Sequence, residues 1–188
     1  MPHLFTPADY RNMPWRNGGG TTCELFRLSH PARPDDFALR LSIADVAQGG
    51  PFSLFPGVDR SLMLLEGAGM LLDFGTHTVR MDRPCQPIDF PGEAAVDCRL
   101  LDGPLRDFNL MVARDWGQAA LRVLALAEGA ELALSGCQWT LVHALAGQLR
   151  LGGRLIEAGQ LLLLQDEAVS LRAGPASRVV VVEAGATV

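Results

Sequence analysis

The sequence predicts an all-β chain built as two jelly-roll barrels packed together, and three observations carry that expectation. Twenty glycines and twelve prolines cut the 188 residues into short apolar runs, the punctuation of sandwiches and barrels. Several of those runs alternate with period two, the signature of a strand with one buried face. A faint internal repeat then joins the two halves of the chain.

The strands can be placed in order. Phe37 to Ile43 sets Phe37, Leu39, Leu41 and Ile43 on one face and Ala38, Arg40 and Ser42 on the other. Leu105 to Val112 alternates in the same way, with Phe108, Leu110 and Val112 opposed to Asp107, Asn109 and Met111. Gly152-Gly153 supplies a tight turn between Leu149-Arg-Leu151 and Arg154-Leu-Ile156, so residues 147–159 read as a hairpin. Val179 to Val182 is a β-branched run suited to a buried strand. Only the Ala- and Leu-rich stretch from Trp116 to Leu134 carries a helical composition, which Val123 and Gly129 weaken.

The repeat aligns Leu62–Leu72 without gaps on Thr140–Arg150, so that Gly69 matches Gly147. A strand, a small-residue turn, a second strand and then Ala158-Gly-Gln160 before Leu161–Leu164 is the cadence of a cupin-type jelly roll. Two such cadences divide the chain into an N-terminal half, residues 1–112, that carries the polar residues of interest, and a C-terminal half, residues 113–188.

Composition narrows the chemistry. The net charge is −5 with no basic stretch, which argues against nucleic-acid binding. No unbroken apolar run approaches the ~20 residues of a membrane helix, and the N-terminus shows no signal-peptide pattern. A cytoplasmic protein without membrane or nucleic-acid partners is expected. All 16 basic residues are arginine, which excludes Schiff-base lysines and the phosphate lysine of P-loops and leaves the arginine fork for anions. The four cysteines and four histidines are scattered, with no Cys-x-x-Cys, His-x-His or His-Glu-x-x-His, so no metal or other cofactor is expected.

Three clusters concentrate polar residues. The first, Met13-Pro-Trp-Arg-Asn-Gly-Gly-Gly-Thr-Thr-Cys-Glu24, bares backbone N–H groups around its three glycines, either as an anion cradle or as a plain turn between strands. The second, Gly50–Arg60, is rigid turn material with Phe52 and Phe55 as aromatic anchors, and it delivers Arg60 to the start of a strand. The third, Leu101–Met111, contains Asp107 and Asn109. If one face of each strand lines a barrel, Arg40, Ser42, Arg60, Glu66, Asp107 and Asn109 converge. Buried charges are costly unless paired or engaged, so such a lining is either a closed ion network or a binding pocket. Trp15 is either a wall of that pocket or a hydrophobic plug.

In this order the three clusters, together with Phe90-Pro-Gly-Glu93, resemble the HutD/Ves family of bacterial bicupin proteins. The resemblance implies two double-stranded β-helix halves and a role near histidine catabolism or the stress response. It further implies a binder of a small carboxylate such as urocanate or N-formylglutamate that moderates the pathway. The absence of histidine from Arg60–Met70, with His143 isolated in the second half, makes a metal-free binder the expectation. Carried onto matching positions, the ligand-binding residues are Trp15, Asn17, Gly18, Gly19, Thr22, Glu24, Arg40, Ser42, Phe55, Arg60, Glu66, Asp107 and Asn109. Arg40 and Arg60 are expected to share the carboxylate. No residue is assigned as catalytic; the alternative is a metal-independent enzyme with Glu24 or Glu66 as general base. Exposed strand edges allow a homodimer.

Overall fold

A computed structural model describes residues 1–187. In chain order the strands are β1 (His3–Phe5), β2 (Arg11–Pro14), β3 (Gly20–Ser29), β4 (Phe37–Val46), β5 (Gly50–Pro51), β6 (Val58–Glu66), β7 (Met70–Asp73), β8 (Thr78–Met81), β9 (Ile88–Pro91) and β10 (Asp97–Leu100). They continue with β11 (Leu105–Ala113), β12 (Gly117–Leu126), β13 (Glu131–Ser135), β14 (Trp139–Ala146), β15 (Gln148–Leu151), β16 (Arg154–Glu157), β17 (Leu161–Leu164), β18 (Ala168–Ala173) and β19 (Ser177–Ala186). One 3-10 turn, Pro7–Asp9, is closed by Asp9 accepting from the Thr6 backbone and hydroxyl. No α-helix occurs among the described residues, and no helix is long and apolar enough to cross a membrane.

The chain forms two compact units, and the boundary differs from the expected one. Arg11–Trp116 makes one unit, and Met1–Tyr10 joins the chain from Gly117 onward in the other. The division therefore falls four residues beyond position 112, at 116/117, and the first ten residues belong with the C-terminal unit. β1 is the reason: it pairs with β17 in register His3↔Leu163 to Phe5↔Leu161, and the Tyr10 hydroxyl donates to the Gly159 carbonyl.

Each unit is a pair of antiparallel sheets. In Arg11–Trp116 the larger sheet runs β2-β3-β4-β11-β6-β9 and the smaller β5-β10-β7-β8; in the other unit the orders are β1-β17-β14-β19-β12 and β13-β18-β15-β16. The repeat is visible in this topology. β6 and β14 lie in the larger sheets, β7 and β15 in the smaller ones, and the chain changes sheet at Gly69 and Gly147. Both glycines have positive φ, 102° and 69°. A Cβ on Gly69 would sit against the Met81 carbonyl, and one on Gly147 within 2.7 Å of the Pro175 carbonyl. Only a residue without a side chain turns this corner at that spacing.

The Trp116–Leu134 stretch is not helical. Gly117–Leu126 pairs along its whole length with β19, and Glu131–Ser135 pairs with β18. Helical composition gave way to tertiary pairing against the Val179–Val182 run, which is buried throughout. The hairpin at residues 147–159 forms as expected, with Leu151 opposite Arg154 across the two glycines.

The interiors of the two units differ. In the C-terminal unit Val142, Leu149, Ile156, Leu162, Leu164, Leu171 and Val181 pack into one apolar cluster, with Thr140, His143 and Ser177 as the buried polar side chains among the described residues of that unit. In the Arg11–Trp116 unit, Leu62, Leu64, Met70, Leu72, Met81 and Phe90 fill part of the interior. The remainder is a cavity of about 600 Å³ lined by β2, β3, β4, β6, β10 and β11 and by the turns beside them.

Candidate functional site

The cavity follows from strand parity. On β11, Asp107, Asn109 and Met111 share a face; β4 sets Ala44, Ser42 and Arg40 opposite them, and β6 sets Leu64, Leu62 and Arg60. β3 continues this surface with Thr22 opposite Ala44 and Glu24 opposite Ser42. β11 is buried on almost its whole length, Asp107 and Phe108 alike. A polar face has therefore been enclosed, which requires compensation for each charge.

Arg60 is the centre of the site. It is 6% exposed, and its guanidinium lies 5.0 Å from the Phe52 ring, 5.1 Å from Phe90 and 5.8 Å from Phe55. Cation–π attraction to three rings replaces part of the hydration lost on burial. Its Nη2 donates to Asn109 Oδ1 at 2.7 Å, and Asn109 Nδ2 donates to Asp107 Oδ1 at 2.5 Å. Arg60 Nε is buried and has no hydrogen-bond partner in the protein. Burial pulls the Arg60 pKa down to about 10 against the opposing pull of Asp107, and Arg40 lowers it further. It remains a cation at neutral pH.

Asp107 is 3% exposed. Burial pushes its pKa up to about 7, while Arg60 and the Asn109 hydrogen bond hold it down and Asp45 adds to the rise. This carboxyl is thus poised between its two protonation states near neutrality.

The second arginine does something else. Arg40 Nε donates to Glu24 Oε2 at 2.6 Å, with both side chains largely buried. Glu24 neutralises Arg40 through its Nε, whereas Arg60 Nε is buried without a partner, so the two arginines that line the cavity differ in how far their donors are already engaged. Glu24 reaches the site through Arg40 rather than by lining the cavity. A carboxylate so held is no free general base.

Of the other expected residues, Trp15, Asn17, Thr22, Arg40, Ser42, Phe55, Asp107 and Asn109 all line the cavity with Arg60. Trp15 Nε1 donates to Thr22 Oγ1 at 2.8 Å, which fixes the indole as a wall. Besides Glu24, three residues fall outside. Gly18 and Gly19 do not cradle an anion, because the Gly18 N–H donates to the Trp15 carbonyl and the Gly19 N–H to Asn17 Oδ1. The Gly18 and Gly19 donors are spent within the turn that leads into β3, the second of them on the side chain of Asn17. Glu66 has the sequence parity of Arg60 but lies beyond a register shift in the β6–β11 ladder, which sets it opposite Arg106 rather than on the face of Arg60 and Leu64. It is exposed, pairs with Arg106 at 3.0 Å, and borders a separate depression of about 450 Å³ with Gly18, Gly20 and Asp45. It is not part of the site.

In the sequence Phe52 reads only as a turn anchor, and none of Phe90, Met13, Arg16, Gln48, Cys98 and Met111 reads as a site residue. Phe52 and Phe90 complete the aromatic box, and the others line the cavity. The signal for the box lay in two turn motifs, Pro51-Phe-Ser and Phe90-Pro-Gly, which deliver rings beside Arg60. Phe90 is its direct ladder partner.

Among the described residues no group of three or more His, Cys, Asp and Glu side chains is placed to hold a metal ion. A buried guanidinium at the centre repels a cation, so the side chains present do not fit a cupin-type metal site.

Comparison with known proteins agrees with this architecture. The HutD family model matches residues 7–187. Protein Ves of Citrobacter koseri is 36% identical over 171 residues, 87% of this chain and 85% of that protein. A 21.2 kDa protein from the hutC 3′ region of Pseudomonas putida is 43% identical over 119 residues, 63% of this chain and 62% of that protein. Among solved structures, HutD from Pseudomonas fluorescens SBW25 superposes with a TM-score of 0.85 at 30% identity, over the whole of both chains. A bacterial pirin from Escherichia coli in complex with nickel(II) superposes at 0.75 with 14% identity over both full chains, and this likeness speaks for a cupin fold alone. The fold is all-β and cupin-like, and the chain belongs to the HutD/Ves family.

Proposed function

We propose that this chain is a metal-free binding protein for a small carboxylate metabolite of histidine catabolism, with urocanate and N-formylglutamate as the candidate ligands, and that by binding it moderates flux through the pathway. The association with histidine utilisation follows from the family. The observation that supports the ligand class is Arg60 Nε, a buried charged donor left without a partner beside a cavity of about 600 Å³. An unmade hydrogen bond from a buried charged group costs about 1–3 kcal/mol or more, and a carboxylate removes that cost. The volume lies within the usual range for small-molecule sites. Trp15 and Phe55 cover the apolar part of such a ligand, while Ser42 and Asn17 stand at its polar end.

Isothermal titration calorimetry with urocanate and with N-formylglutamate tests the reading. Saturable one-to-one binding that Arg60→Met weakens supports it, and binding indifferent to Arg60 overturns it. Purified, metal-stripped protein is expected to leave both compounds chemically unchanged over long incubation, since neither Glu24 nor Glu66 is free to act as a base.

A further inference from the structure

Arg60 serves two anions with one charge. Its guanidinium is bridged through Asn109 to the Asp107 carboxylate by bonds of 2.7 and 2.5 Å, and all three side chains are buried on the cavity wall. An arriving carboxylate needs the same positive charge. Two carboxylates and one guanidinium in a buried site leave a net negative charge, which is costly. A proton on Asp107 restores neutrality.

We propose that the site takes up a carboxylate together with one proton, the anion going to Arg60 and the proton to Asp107, so that Arg60, Asp107 and the carboxylate group they hold carry together the same charge as the empty pair. This rests on the anion-binding reading above and adds its regulation: affinity is set by pH through Asp107.

The surroundings of Asp107 leave Arg60 as the cation that answers to it. The ladder neighbours of Asp107 are Ala44 on β4 and Leu64 on β6. Charged or titratable groups on the packed elements are Asp59, Arg60 and Glu66 on β6, Arg40 and Asp45 on β4, Cys23, Glu24 and Arg27 on β3, Arg106 on β11, and Asp97, Cys98 and Arg99 on β10; of these, Asp59 pairs with Arg114, Arg27 donates to the Asp35 carbonyl and Arg99 is exposed. Arg40 is taken by Glu24, and Arg106 by Asp45 and Glu66. Burial first, then Asp107 and Asp97, push the Cys98 thiol up to about 11, so it stays protonated. Asp107 itself sits at about 7 in the empty site. Withdrawing the Arg60 charge toward a ligand removes the interaction that holds that value down, so it rises on binding. By linkage, affinity is full below pH about 7 and falls as pH rises through it, by up to tenfold per unit.

Calorimetry with N-formylglutamate and with formate, neither of which titrates near neutrality, decides the matter in paired buffers free of small carboxylates and phosphate, HEPES with Tris at about pH 8 and MES with bis-Tris at about pH 5.5. These buffers differ in ionisation enthalpy, so the difference in observed heat counts protons. At about pH 8 the protein should absorb close to one proton per ligand bound, and at about pH 5.5 close to none. Asp107→Asn should absorb none at either pH and should bind with flat pH dependence. Carbon-13 NMR of aspartate-labelled protein follows the Asp107 carboxyl directly, without a variant, and should show its titration moving upward when formate is added. Binding at about pH 8 with no proton uptake, or with uptake unchanged in Asp107→Asn, overturns the proton coupling and leaves the anion site standing. Failure of both compounds to bind at any pH overturns the coupling and the binding reading together.

Discussion

Replacing Arg60 by methionine separates what the guanidinium does for binding from what it does for the fold. The substitution keeps the apolar stem among Phe52, Phe55 and Phe90 and deletes the charge, the 2.7 Å bond to Asn109 and the unpartnered Nε. A hydrogen bond to a charged group contributes about 1.5–3 kcal/mol, so loss of the ligand contact should weaken N-formylglutamate binding roughly 10- to 150-fold. Stability should change much less. Removing a buried cation also removes its desolvation cost, and apolar replacement of buried ionic groups is often neutral. Asp107, poised at about 7, accepts a proton once its cation is gone. An unfolding free energy within about 2 kcal/mol of wild type near pH 6 is expected from urea titration. Affinity unchanged within about twofold would show that Arg60 does not touch the ligand. A destabilisation well beyond that margin, with the variant no longer folded at room temperature, would make Arg60 a member of a closed structural network instead.

Three further outcomes follow from the same geometry. Asp107 has a folded pKa of about 7 against an ordinary 3.8, so the folded state binds the extra proton and wild-type stability falls as pH rises from about 4 through 7. Asp107→Asn should therefore gain in urea midpoint above pH 7 and show little advantage below pH 4, with a ceiling on the order of 4 kcal/mol; an advantage independent of pH would contradict the assignment. Glu24→Gln frees the Arg40 charge beside the cavity, so anion binding should tighten severalfold while stability drops by about 1–3 kcal/mol, with no tightening expected in Arg40→Met/Glu24→Leu. Gly69→Ala and Gly147→Ala should each cost more than about 2 kcal/mol by chemical denaturation, because a Cβ at either corner meets backbone at positive φ; a neutral result at either would show that the corner can relax.

Much of the site was legible from alternation alone. Period-two parity groups Arg40 with Ser42 and Asp107 with Asn109, and it holds in every register of β4 against β11. Glycine punctuation located the hairpin at 147–159 and the matched corners at Gly69 and Gly147, since both features depend on local backbone geometry. The Trp116–Leu134 stretch is ambiguous in the sequence because leucine and alanine serve either structure. The choice between them was made by β19 and β18, far along the chain.

Local pattern by itself determined which side chains share a strand face, where the chain must turn without a Cβ, and that anion chemistry here belongs to arginine. These depend on neighbours within a few residues, whose geometry the covalent chain already constrains. The tertiary structure alone decided how charges and donors are allotted: Glu24 to Arg40, Arg106 to Asp45 and Glu66, the Gly18 and Gly19 N–H groups to their own turn, and Met1–Tyr10 to the C-terminal unit. Glu66 and Arg60 have the same sequence parity and opposite fates, one in solvent and one buried among three rings. Electrostatic pairing depends on distances of a few ångströms between segments remote in sequence, and those distances exist only once the sheets have closed around the cavity.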